Sequence, residues 1–167
     1  MKLNFIVCAN GLGHLSRCVS LALEVKKRTD FRVKIYCSKT GFDALNLESK
    51  FRHSEVHIVK DMRYLQEESF DKEYWHNLMS QENGENEIFI SDNLISFLEI
   101  KPECIVIANF FWHDVDIKIQ KQKKTNLNAL LRSTQPYVMG HHFFAMPIVN
   151  AKTFTHTRIV MKSVVET

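Results

Sequence analysis

The residues best suited to chemistry lie in one short run, Asn10-Gly-Leu-Gly-His-Leu-Ser-Arg17. A Gly-x-Gly pair ahead of a helical pattern lets a chain turn sharply from a strand into a helix. The helix N-terminus so formed offers backbone N–H groups and the positive end of a dipole, a setting for a phosphate, a diphosphate or a developing oxyanion. His14 opens that helix. An imidazole titrates near neutral pH, and the dipole disfavours its charged form, so the ring can take a proton as a general base. The plainer reading is a histidine that only fills the first helical turn. Arg17 follows one turn later on the same face and faces either an anion or solvent. Asn10, Gly11 and Gly13 would border any ligand held at the turn.

Two well-known phosphate loops can be compared with this run. Gly-x-x-x-x-Gly-Lys-Ser/Thr is absent. Gly-x-Gly-x-x-Gly is matched only in part, because Ser16 stands at the third glycine. That fingerprint also wants a carboxylate after the second strand, where Cys37, Ser38 and Lys39 are found. Lys39 could face a 2′-phosphate, so an NADP site stays open as an alternative. So does a glycine turn that merely lets a helix pack on its strand.

The elements that must position these groups alternate along the chain. Leu3, Phe5, Ile6 and Val7 predict a strand over 3–8, and Leu15, Val19, Ala22, Leu23 and Val25 give the apolar stripe of a helix over 14–28. Further strands are expected at 31–36, 55–59, 87–90, 103–108 and 137–140, with helices near 42–47, 69–81 and 114–132, and a last strand within 153–165. Alternation of this kind predicts an α/β domain with an open, mainly parallel sheet covered by helices on both faces.

Ligands of such sheets bind outside the carboxyl ends of the strands. That rule gathers Asn10 to His14, then Ser91, Asp92 and Asn93, then Asn109 to Asp114, then Gly140, His141 and His142 at one rim. Asp92 is a candidate to orient a hydroxyl or a histidine, or else a turn or helix cap. Asn93, Asn109 and His141 are candidate binding residues. Trp112, with Phe110 and Phe111, could form an apolar platform for a sugar ring or lipid, or belong to the core. His141 and His142 are adjacent, so in a strand they face opposite ways. No His-x-x-x-His spacing joins the histidines of this rim, and no metal site is expected there.

The chain has 167 residues, enough for one domain with a substantial core. A net charge of +3 does not by itself point to nucleic acid, and Lys118, Lys121 and Lys124 read as a solvated helix face more readily than as a membrane-binding one. The N-terminus lacks a signal-peptide pattern, no run matches a membrane helix, and the four cysteines form no C-x-x-C pair. A cytoplasmic chain with reduced thiols is expected.

At this point the residues resemble a known family. The strand followed by Asn10-Gly-Leu-Gly-His-Leu-Ser-Arg17 is similar to the Gly-x-Gly-His loop of MurG-like glycosyltransferases of the GT-B fold, and to that of the nucleotide-sugar hydrolases of pseudaminic acid biosynthesis. Ile-Ser-Asp92-Asn93 and Ile-Ala-Asn109-Phe-Phe-Trp-His-Asp114 resemble strand-end motifs of the same amino-terminal domain. The resemblance implies one Rossmann-like half of a two-domain enzyme, with 1–167 as the acceptor-side domain and the carboxy-terminal donor domain missing. It implies His14 as the general base, Gly11 and Gly13 facing a diphosphate or acceptor, and Asp92 and Asn109 shaping the acceptor side. The donor would be a nucleoside diphosphate sugar, of the UDP class, serving as substrate rather than cofactor. The acceptor would be a glycan or a lipid-linked precursor, which leaves peripheral contact with the inner face of the membrane open. Self-association through an exposed cleft face is a further expectation. A hydrolase and a non-catalytic α/β binding domain stand as the alternatives.

Overall fold

The structure, a computed structural model, describes residues 1–82, 84, 86–108, 120–140 and 154–156. Phe5 and Val7 project from one side of the first strand and Ile6 from the other, and all three are buried, so that strand must lie between two apolar layers. It does. Strands β1 (Lys2–Val7), β2 (Arg32–Ser38), β3 (Val56–Val59), β4 (Glu87–Asp92), β5 (Ile105–Ile107), β6 (Val138–Gly140) and the short β7 (Phe154–His156) form one sheet. Its order is β3-β2-β1-β4-β5-β6-β7, with every pair parallel. Helices α1 (Leu12–Arg28) and α2 (Lys39–Ala44) contribute to one core with Phe5, Val7 and Ile35. Helices α3 (Lys72–Gln81) and α4 (Lys121–Thr134) contribute to the other with Ile6, Tyr36 and Phe97. Each fully buried large side chain of these layers contributes roughly 1.5–3 kcal/mol. The fold is an open, Rossmann-like α/β sheet with helices on both faces.

The strand order fixes where a ligand crevice can form. β1 is flanked by β2 on one side and β4 on the other. The chain therefore winds outward in opposite directions from the β1/β4 pair, and the crevice of such sheets opens outside the carboxyl ends of that pair. The register sets Val7 beside Asp92 there.

Several boundaries differ from the sequence reading, and four of them have a clear local reason. Helix α1 starts at Leu12 because Gly11, at φ 111 and ψ 159, turns the chain within one residue. β4 runs through Asp92, since Ser91 and Asp92 pair with β1 on one side and β5 on the other. α2 begins at Lys39, because the Ser38 hydroxyl caps it by accepting from Gly41 N at 3.1 Å. α3 begins at Lys72 behind Asp71, whose side chain accepts from Tyr74 N at 2.9 Å. The expected helix over 114–132 is described from Lys121, and of the expected strand in 153–165 only 154–156 is described.

Candidate functional site

Helix α1 begins on Gly11 with no side chain capping it and no acidic residue in its first turn. Its leading N–H groups and the positive end of its dipole stand at the β1/β4 crevice. His14 is its third residue and Arg17 lies one turn on, so both side chains leave the helix on one face. Opposite them, β4 alternates. Phe89 packs in the core under α3, while Ile88 and Ile90 pack in the core under α1. Asp92 continues the second series and so faces α1.

The Asp92 carboxylate is fully buried, and four donors surround it. His14 Nδ1 lies 2.8 Å from Oδ1. Arg17 spans the group, donating from Nε to Oδ2 at 3.0 Å and from Nη2 to Oδ1. The Cys18 thiol donates to Oδ2 at 3.3 Å. Four donors match the roughly four lone-pair sites of an ionised carboxylate. Arg17 Nη2 also lies 3.3 Å from His14 Nδ1. The shorter contact decides the tautomer. A carboxylate can only accept, so Nδ1 carries the proton toward Asp92 and the lone pair of the ring falls on Nε2. A buried carboxylate that fixes an imidazole in this way leaves Nε2 as the basic atom, and the ring keeps a 13% exposed side chain.

The charges follow from burial. Burial alone would lower the Arg17 pKa, but the hydrogen bonds and charge of Asp92 outweigh it and hold the guanidinium above its ordinary value. Burial, and then the charge of Asp92, pushes the Cys18 thiol well up, so it stays protonated and acts as a donor.

Of the residues singled out in the sequence, the structure brings His14, Arg17 and Asp92 into direct contact. Arg17 is directed at an internal anion, the carboxylate of Asp92. Gly11 and Gly13 are both exposed at the turn, but they are not alike. Gly11 adopts φ 111, whereas Gly13 is an ordinary helical residue at which an added methyl group would meet nothing within 4 Å. Asn10 is half-buried beside them. Asn93 follows Asp92 in the left-handed region at φ 60, and its N–H donates to Ile107 O at 2.9 Å. Its side chain is almost fully buried, and Oδ1 has no hydrogen-bond partner among the described residues. Asn109, Phe110, Phe111, Trp112 and His141 lie outside the described residues.

Two participants escape the sequence reading. Cys18 reads there as a helix residue without a role, although its spacing of four from His14 puts it on the same face. Glu67 sits in a polar run, Gln66-Glu-Glu-Ser69, that gives no sign of burial. It is nevertheless fully enclosed, and it accepts from Ile95 N at 2.7 Å and Ser96 N at 2.9 Å. It thus anchors the short 3-10 turn Ile95–Glu99 that follows Asn93. Burial pushes its carboxyl up against the opposing pull of the Ser96 and Ile95 hydrogen bonds and of Lys123.

Lys39, the candidate partner for a 2′-phosphate, is exposed and pairs with Asp43 at 2.5 Å. Among the described residues no group of three or more His, Cys, Asp or Glu side chains is arranged to hold a metal ion. No helix among them is long and apolar enough to cross a membrane. Compared with protein-family models, curated proteins and solved structures, the chain matches none.

Proposed function

We propose that this chain is the acceptor-side domain of a GT-B sugar transferase, with His14 as general base and Asp92 as the residue that orients it. The observation that carries the reading is the 2.8 Å contact from His14 Nδ1 to a fully buried Asp92, placed at the β1/β4 crevice. The contact assigns the basic lone pair to Nε2 and holds the ring still. In the reaction, Nε2 takes the proton of an acceptor hydroxyl as its oxygen attacks the anomeric carbon of the donor. The bond from that carbon to the diphosphate breaks, and the diphosphate leaves with the electron pair. The uncapped N-terminus of α1 favours negative charge nearby. The nucleotide of the donor belongs to a second Rossmann-like domain, on the same polypeptide or another.

The test is turnover of a panel of nucleoside diphosphate sugars, UDP-sugars first, by the native gene product. Release of the nucleoside diphosphate is followed with and without glycan acceptors. His14→Ala should lower kcat by about two to four orders of magnitude and leave the unfolding temperature within a few degrees. Release that needs no acceptor would identify a hydrolase using the same dyad. Full activity in His14→Ala would refute the assignment, and absence of turnover with every donor would leave a binding domain.

A further inference from the structure

Beside the dyad, on the β2 side of β1, the same glycine turn borders a pocket of about 160 Å³. Its floor is Val7, Cys8, Leu15 and Cys37, all buried. Its mouth is Leu12 and Met62, with Gly11 and Thr40. We propose that this pocket binds a single uncharged aromatic ring carried by a small molecule.

Four observations carry the proposal. The volume is close to the roughly 150 Å³ apolar cavity that takes up one benzene. The side chains of the wall offer few polar partners. Ser38 already accepts from Gly41 N at 3.1 Å, and Thr40 supplies the other side-chain hydroxyl. A sugar ring, with several hydroxyls to satisfy, would lose hydrogen bonds on entering. Three sulfur-bearing side chains, Cys8, Cys37 and Met62, line the space, and sulfur packs favourably on aromatic rings. The two thiols are inert walls, because burial pushes both up to about 12. Finally, the mouth carries two exposed apolar side chains, Leu12 and Met62. Among the described residues five large hydrophobic side chains are exposed, and Leu12 at 48% and Met62 at 45% are two of them. The pocket opens outside the carboxyl ends of β1 and β2, where ligands of such sheets bind.

The experiment is a titration of the ¹⁵N-labelled chain with phenol, and with glucose as the polar ring of similar size. Phenol should give saturable amide shifts confined to Gly11, Leu12, Ser38 and Gly41, and glucose none. Leu12→Ala and Met62→Ala should each weaken phenol roughly three- to ten-fold, with the unfolding temperature unchanged because both side chains stand at the mouth. His14→Ala should leave phenol binding intact, so the pocket and the transferase reading fail separately. Unsaturable or scattered shifts, equal shifts with glucose, or undiminished binding in both truncations would overturn the proposal.

Discussion

Asp92→Asn is the most demanding test of how the site is built. The amide keeps one oxygen and replaces the other with an NH2 group, which cannot accept. If it faces the Oδ1 side, His14 Nδ1 and Arg17 Nη2 lose their acceptor. If it faces the Oδ2 side, Arg17 Nε and the Cys18 thiol do. Either way Arg17, only 16% exposed, loses its counter-charge. Hydrogen bonds to charged groups contribute roughly 1.5–3 kcal/mol each, and removing one partner of a buried ion pair costs roughly 3–5 kcal/mol. We therefore expect a loss of about 4 kcal/mol, which in a chain of this size lowers the unfolding temperature by about 10 °C. Urea unfolding followed by tryptophan fluorescence reads the energy, and a thermal melt followed by circular dichroism reads the temperature. Arg17→Met removes the cation instead. In the double variant neither ion is left alone, so it should be at least about 2 kcal/mol more stable than the two single losses summed. A shift below about 3 °C in Asp92→Asn, or a coupling below about 0.5 kcal/mol, would place this contact among ordinary surface pairs and refute the reasoning.

The two glycines of the turn should separate cleanly. Gly11→Ala forces a side chain into φ 111 and should cost roughly 1–3 kcal/mol although its methyl meets nothing, whereas Gly13→Ala should be neutral or gain up to about 1 kcal/mol of helix propensity; chemical denaturation of both variants checks this, and equal losses would contradict it. All four cysteines are buried, with Cys8 and Cys37 pushed up to about 12 and Cys18 and Cys104 also raised by burial. The native chain should react with Ellman's reagent at pH 8 about a hundred-fold more slowly than the unfolded chain, and one fast equivalent would count against the packing. His57 is held below its ordinary 6.5 by burial and by Lys34, against the pull of Glu82, and its ring lies 5.2 Å from that of Tyr36. The unfolded chain then takes up this proton first, so stability falls as pH drops below about 6.5. His57→Gln should flatten that slope between pH 7 and 5. Glu67 slopes the opposite way, because its raised carboxyl loses stability as pH rises above 4.5, so the comparison is between variant and parent at each pH.

The parallel sheet was legible because its strands and helices alternate in long, separate blocks, and the rim was legible because one rule collects strand ends. His14 and Asp92 could therefore be named as neighbours of a common crevice. The partner of Arg17 could not. Its target depends on which face of β4 carries Asp92, and Ile88, Phe89 and Ile90 are apolar in succession, so the strand shows no alternation from which to read a face. The pairing settles it. Val7 stands beside Asp92, and every second residue back from Asp92 packs toward α1.

A slip of one residue would turn Asp92 away from α1 and bring Ser91 to that face, because side chains alternate along a strand. Arg17 would then stand over a hydroxyl, with no anion to balance it, and His14 would have no carboxylate to fix its tautomer. The dyad thus constrains the sheet as well as using it. The Asp92 pair favours the register that Phe89 and the two isoleucines favour through burial, and the carboxylate distinguishes two faces that apolar content alone barely separates. That is a physical reason for a buried ion pair here whether or not His14 takes a proton. It also means that Asp92→Asn acts on structure and site together, and only His14→Ala, which leaves the Arg17–Asp92 pair in place, isolates the chemistry.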